Sequence, residues 1–268
     1  MALSVEKKMQ LKNVIIESLR NKFKNYKPET NQMPFHYRLL GKDRMALFSF
    51  IQSLNTTFGT SIYEPVAIEL AKGRFAKAIS QVTPYNQIST EAQVKIQEIM
   101  DNLTSADQEP NKIQEIEEIR LVCHSDHMHK VTLTNVDIWL ESINGDIFMI
   151  DIKTAKPNIS GFQAHKRTLL EWVAAELARN PHAKVNSIIA IPYNPYEPEP
   201  YKRWTIRGML DLNQELLVAS ELWDFIGGVG AYNDLLDCFE EAGIELREEI
   251  DNYFAQFEDN INNKKLPG

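Results

Sequence analysis

Residues 135–153 read NVDIWLESINGDIFMIDIK, and the register of this stretch decides how the rest of the chain is arranged. Two alternating runs flank Asn144-Gly145, the pattern of a β-hairpin. A two-residue turn there pairs Asp137 with Ile152 and sends Asp137 and Asp151 to opposite faces, because side chains alternate along a strand. A three-residue loop, Ile143-Asn144-Gly145, pairs Ser142 with Asp146 and puts glycine where that loop needs left-handed backbone. Val136, Ile138 and Leu140 then lie opposite Ile152, Ile150 and Phe148 on one wholly apolar face. Asp137 lies opposite Asp151 with backbones about 5 Å apart, and Lys153 projects from the same face. The apolar pairing and the acidic pairing demand the same register, so the three-residue loop is the reading adopted.

Two carboxylates this close repel each other unless a cation lies between them. Their oxygens suit Mg²⁺, which takes one or two carboxylates and keeps several waters. Lys153 can steer or deprotonate a water beside such an ion and stabilise charge on a phosphate. The same spacing also fits a solvated hairpin face carrying Asp, Trp, Glu and Lys.

Downstream of the hairpin, Ser160-Gly161-Phe162-Gln163 has capping-box form and predicts a helix to about Arg179, before Pro181. Residues 185–192 (VNSIIAIP) are a continuous apolar run, read as a buried strand. Strand, helix and strand at this spacing imply a right-handed crossover and a parallel pair. After a Pro/Tyr-rich loop, helices are expected at about 212–226 and 231–242, ended by Gly227-Gly228 and Gly243, with a last helix to about 262. Upstream, 5–24 reads as a helix, and 45–72 as a helical stretch interrupted at Gly59 and Pro65. The polar residues 81–119 suggest helix, loop, then helix or strand. The fold class is α/β: a small mixed sheet carrying the hairpin, flanked by helices, with large helical additions at both ends. The chain reads as one domain, 1–268, mostly helical over 1–120, with an α/β core at 121–208 and an acidic helical part at 209–268.

The net charge of −8 is unevenly spread. Residues 211–262 hold 14 acidic residues against Arg247 alone, whereas 153–210 hold nine Lys and Arg against four Glu. A basic centre beside an acidic end is compatible with a surface facing DNA. With two cysteines and no apolar run long enough to span a bilayer, the chain suits a reducing cytoplasm and no membrane. Cys123-His124, His127 and His129 resemble a zinc cluster, but a second ligand pair of the kind structural zinc sites use is missing, and a loop touching DNA is the alternative. Trp139, Trp172 and Trp223 fall on strand or helix patterns and read as packing residues.

Asp137, thirteen residues, then Asp151-Ile152-Lys153, on a hairpin followed by helix and parallel strand, resembles the PD-(D/E)xK nuclease superfamily, with Val136 replacing the usual proline and Asp151 the commoner Glu. FIQSLNTTFGTSIYE, VDIWLESINGDIFMIDIKTAKPN and YKRWTIRG…VASELWDFIGG look like type II restriction endonucleases of the group cutting GGNCC-like sites. By this resemblance Asp137 and Asp151 are metal ligands, Lys153 is the catalytic lysine, and Glu64 is a helix-borne acid of the metal or water network. Glu64 reads equally as an ordinary exposed helix residue. The expected cofactor is Mg²⁺ and the expected partner double-stranded DNA, cut by a homodimer beside a cognate DNA methyltransferase. Lys156, Asn158, Gln163, His165, Lys166 and Arg167 surround a helix start that can hold a phosphate, or form a solvated cap. Lys202, Arg203 and Arg207 are candidates for phosphate and guanine contacts, or plain surface charge. A structure-selective repair or recombination nuclease and a non-catalytic binding protein on the same scaffold are the competing readings.

Overall fold

The computed structural model describes residues 3–27, 33–124, 127–153, 159–202 and 208–256. Its contacts divide the chain into two compact units, one comprising residues 67–233 with the first three residues, the other 4–66 with 234–268. The two ends of the chain, read from sequence as separate helical additions, therefore fold together as a unit of their own. The helical N-terminal part divides between the units at residue 66, not at 120.

In chain order the elements are α1 (Val5–Asn25), α2 (Pro34–Leu40), α3 (Lys42–Phe58), a π-helical turn (Gly59–Tyr63), α4 (Glu64–Ala71), β1 (Lys77–Val82), β2 (Gln87–Ser89), α5 (Thr90–Ser105) and α6 (Lys112–Val122). Then come β3 (Met128–Lys130), β4 (Val136–Glu141), β5 (Ile147–Ile152), α7 (Ile159–Arg179), β6 (Val185–Ile191), β7 (Leu216–Val218), α8 (Ser220–Gly227), α9 (Ala231–Glu245) and α10 (Arg247–Ala255). The interruption expected at Gly59 and Pro65 is the π-helical turn. Pro65 has no N–H to donate and sits in the first turn of α4, where that donor is not needed.

The 67–233 unit is built on a five-stranded mixed sheet in the order β1-β4-β5-β6-β7. β1, β4 and β5 are mutually antiparallel, and β6 and β7 continue parallel to β5. The hairpin register pairs Ile138 with Ile150 and Leu140 with Phe148. Ser142 N–H donates to the Asp146 carbonyl at 2.8 Å, and Gly145 adopts φ +83°, so the loop is Ile143-Asn144-Gly145. Both sheet faces are covered. Trp139, Met149 and Ile147 join a core with α5, α6 and α7, including Trp172, Leu169 and Val173. On the other face, where Ile138, Leu140 and Ile150 are buried, Phe148 lies at 5.0 Å from Phe225 of α8, and both rings meet Phe75. The helix that follows the hairpin begins at Ile159, so Ser160 lies inside its first turn instead of capping it. Gly243 does not end α9, which continues to Glu245. Part of the expected 212–226 helix is the strand β7. Gly227 does sit where helices meet closely: a Cβ there would come within 2.7 Å of Leu70 and Ala231. The three tryptophans are packing residues, and buried Trp172 and Trp223 donate to the carbonyls of Thr134 and Pro192.

In the other unit, Phe23, Phe50, Tyr253 and Phe254 form an aromatic cluster joining α1, α3 and α10. The acidic C-terminal helices meet the basic residues of α1: Lys8 pairs with Asp234, Lys12 with Glu241 and Glu245, and Arg20 with Glu249. Much of the negative charge concentrated in that part of the sequence is thus balanced within its own unit. Among the described residues no helix is long and apolar enough to cross a membrane.

Candidate active site

Three adjacent strands bring the polar side chains together. Extended by one rung, the hairpin ladder sets Asp137 of β4 opposite Asp151 of β5. Asp137 Oδ2 accepts from the Ile152 N–H at 2.8 Å. Lys153 Nζ donates to Asp151 Oδ1 at 2.6 Å, and the Lys153 N–H continues the ladder to the Ala190 carbonyl at 2.9 Å. Asp151 is buried although it carries a charge, which the lysine on one oxygen makes tolerable. From α7, His165 places Nδ1 4.0 Å from the other oxygen of Asp151.

Burial raises the carboxyl of Asp137 to about 6, and the neighbouring charge of Asp151 pushes the same way. His165 is lowered to about 4, first by burial and then by the charge of Lys153, so its imidazole is neutral at neutral pH. A carboxyl held above its ordinary range by another carboxylate is a site that gains from a divalent cation. Among the described residues no three or more His, Cys, Asp or Glu gather as a metal cage. Two carboxylates alone leave most of a coordination sphere to water and substrate oxygens, which suits Mg²⁺ and not a structural zinc site.

The other expected site residues have varied placements. Glu64 opens α4 and is almost wholly buried, so it is not an ordinary exposed helix residue; it belongs to the other unit. Gln163 is exposed on α7, its amide 3.5 Å from Thr104. Lys202 is exposed, with its ammonium 4.9 Å over the Tyr196 ring. Lys156, Asn158, Arg203 and Arg207 lie outside the described residues. Lys166 is corrected: it is fully buried and cannot meet DNA from there. Its ammonium pairs with Glu115 at 2.5 Å and Glu215 at 2.6 Å, while Lys112 bonds Glu215 at 2.8 Å and Ser187 at 2.7 Å. Burial lowers Lys112 against the pull of Glu215, whereas in Glu215 the two lysines overcome burial and hold the carboxyl low. The signal for Lys166 was present in the helix period, since it falls on the stripe Phe162, Lys166, Leu169, Val173 and Leu177 that faces the core. Cys123 is buried with its thiol on the Arg120 carbonyl, and His129 lies on β3, so neither belongs to a described zinc cluster.

One residue of the site was not anticipated. Gln81, on β1 across from Asp137, donates its amide to Asp137 Oδ1 at 3.2 Å. Its strand was hidden in a polar stretch read mainly as helix.

The sequence profile of the family described as "Type II restriction endonuclease, HinfI" matches residues 4–243. The chain belongs to this HinfI family of type II restriction endonucleases. Relatives include the type II restriction enzyme MjaII of Methanocaldococcus jannaschii, 29% identical over 69% of this chain and 51% of that protein. The chain thus spans about half the length of MjaII. HgiCII and HgiEI of Herpetosiphon aurantiacus, also type II restriction enzymes, are 23% and 22% identical over 81% of this chain and 80% and 79% of their own lengths. The HinfI-family match covers the whole sheet, including the strands that carry Gln81, Asp137 and Asp151.

Proposed function

We propose that this chain is a type II site-specific deoxyribonuclease of the PD-(D/E)xK kind, hydrolysing double-stranded DNA with Mg²⁺ at Asp137 and Asp151. The observation that carries the reading is the facing pair Asp137 and Asp151 with Lys153 bonded to Asp151, in a chain of this family. The bound ion would neutralise the two carboxylates and polarise the scissile phosphate. The protein's own groups do the rest. The Ile152 N–H fixes Asp137 so that its remaining lone pairs face Asp151. Lys153 holds a proton and a positive charge beside the phosphate, where it orients the attacking water and stabilises charge as it develops. Neutral His165 closes one side of Asp151 without adding a competing charge. Water adds across the P–O3′ bond, leaving a 5′-phosphate and a 3′-hydroxyl.

The same reading makes the enzyme a homodimer that cuts a short palindromic site of the GGNCC-like class, one strand per subunit. α2 and α3 support it: Phe35 and Leu39 are 85% and 82% exposed, and Leu47, Phe48 and Ile51 add to the apolar surface. Such a patch is on the order of several hundred Å², at the upper end for a soluble monomer and suited to a second copy. Lys202, Gln163 and the basic residues near 156 and 207 would meet DNA, and Glu64 would join the metal or water network. A cell holding such an enzyme needs a methyltransferase that protects the same sites.

Digesting a sequenced plasmid with the purified protein and Mg²⁺, mapping the ends and sedimenting the protein alone tests this reading. Discrete fragments whose ends share one palindrome, from a protein of dimer mass, are expected. A smear, or cuts set by forks and flaps, would replace it with the structure-selective nuclease, and intact DNA with the binding protein.

A further inference from the structure

Gln81 is one of three non-glycine residues with positive φ among those described, and the only one of the three within a strand of the sheet. At φ +52° a side chain with a Cβ is crowded against its own backbone, and left-handed geometry interrupts a strand. The ladder brackets it: Ser80 pairs with Ile138 and Val82 with Val136, so the left-handed residue falls at the rung of Asp137. There its amide donates to Asp137 Oδ1 while the Ile152 N–H donates to Oδ2. Donors thus hold both oxygens of this carboxylate from opposite neighbouring strands, β1 on one side and β5 on the other. Strain of this kind persists where the surroundings over-determine it, and it concentrates at functional sites.

We propose that Gln81 is a positioning residue of the metal site, its left-handed backbone aiming the amide at Asp137 and fixing how that carboxylate presents itself to the ion and to Asp151. A regular β conformation at residue 81 would keep the ladder continuous and turn the side chain along the strand's alternation. The amide suits the task chemically. It donates a hydrogen bond without carrying a charge, so it orients Asp137 without neutralising it as a lysine or arginine would. The inference rests on the reading of Asp137 as a metal ligand.

Gln81→Gly and Gln81→Asn separate positioning from mere structure. Glycine adopts positive φ freely, and asparagine tolerates it better than most residues while being one methylene too short for the same bond. Neither should lower the thermal midpoint of the metal-free protein. Both should weaken Mn²⁺ binding, followed by electron paramagnetic resonance, by about 10–100-fold, the usual scale for losing a partner that orients a ligand. kcat should fall while KM for DNA stays near that of the unaltered protein. Unaltered Mn²⁺ affinity in both variants overturns the proposal, as does weakened binding that merely tracks a lower midpoint. Asp137→Ala is run beside them. If it binds Mn²⁺ normally, the reading of Asp137 itself fails; if it loses the ion while both Gln81 variants keep it, only the role of Gln81 fails.

Discussion

Replacing Asp137 with Asn is expected to abolish most DNA cleavage and at the same time make the metal-free protein more stable at neutral pH. Loss of a ligand removes several kcal/mol of charge stabilisation, so the rate should fall by roughly 10³-fold or more. The stability gain follows from the carboxyl being raised to about 6 by burial and by Asp151. A carboxyl raised on folding holds its proton more tightly in the folded state than in the unfolded one. The group therefore costs nothing below its unfolded value near 4, and its penalty grows as pH rises to about 6 and stays in full above. Asparagine never ionises, so Asp137→Asn should gain about 1–2 kcal/mol at pH 7.5, after discounting for partial solvent access, and little or nothing at pH 4. Chemical unfolding in chelator at both pH values measures this. A variant no more stable at pH 7.5 than the unaltered protein would mean that Asp137 and Asp151 do not strain each other.

The second large effect lies beneath the sheet. Lys112, Glu115, Lys166 and Glu215 are buried together, tying α6, α7 and the turn before β7 to Ser187 of β6. Glu215 also accepts from the Asp211 N–H at 2.9 Å. Removing one member strands an opposite charge in a place water does not reach. Lys166→Met should therefore cost about 3–5 kcal/mol in urea unfolding. Replacing all four by Met and Leu removes every buried charge at once and should recover most of that loss, since a packed apolar cluster competes well with a buried ion network. A loss under about 1 kcal/mol for Lys166→Met would show that the ammonium finds water, and that the burial described here is not that of the protein in solution.

Local signals carried the hairpin, α7 and β6. Asn144-Gly145, the alternating runs and the VNSIIAIP stretch each specify their own conformation, and the two apolar and acidic pairings agreed on a single register. β1 escaped because KAISQV is an edge strand of mixed polarity whose pairing with β4 lies about sixty residues away, so nothing in its own pattern announces it. β2, β3 and β7 are three residues each, too short to show a period. Gln81 was lost with its strand. Lys166 was read as exposed from its neighbours His165 and Arg167, whereas its partners Glu115 and Glu215 lie 51 and 49 residues away in sequence. Distant carboxylates are what make a buried lysine possible, and no local window contains them. The carboxylate pair itself was legible because both members sit on one hairpin.

Lys153→Ala tests the central claim most directly. The ammonium rests on Asp151 and projects from the acidic end of the hairpin, so its removal should leave the fold and DNA binding intact. The measurement is end mapping of one sequenced plasmid, with Mg²⁺, for the unaltered protein and the variant side by side. A Ca²⁺ binding assay on the same preparations confirms that both engage DNA. The account predicts a fixed set of fragments from the unaltered protein and uncut plasmid from Lys153→Ala, with both bound to DNA to a similar extent. The same fragments from Lys153→Ala at a near-normal rate would contradict it, and would place the chemistry elsewhere in the molecule.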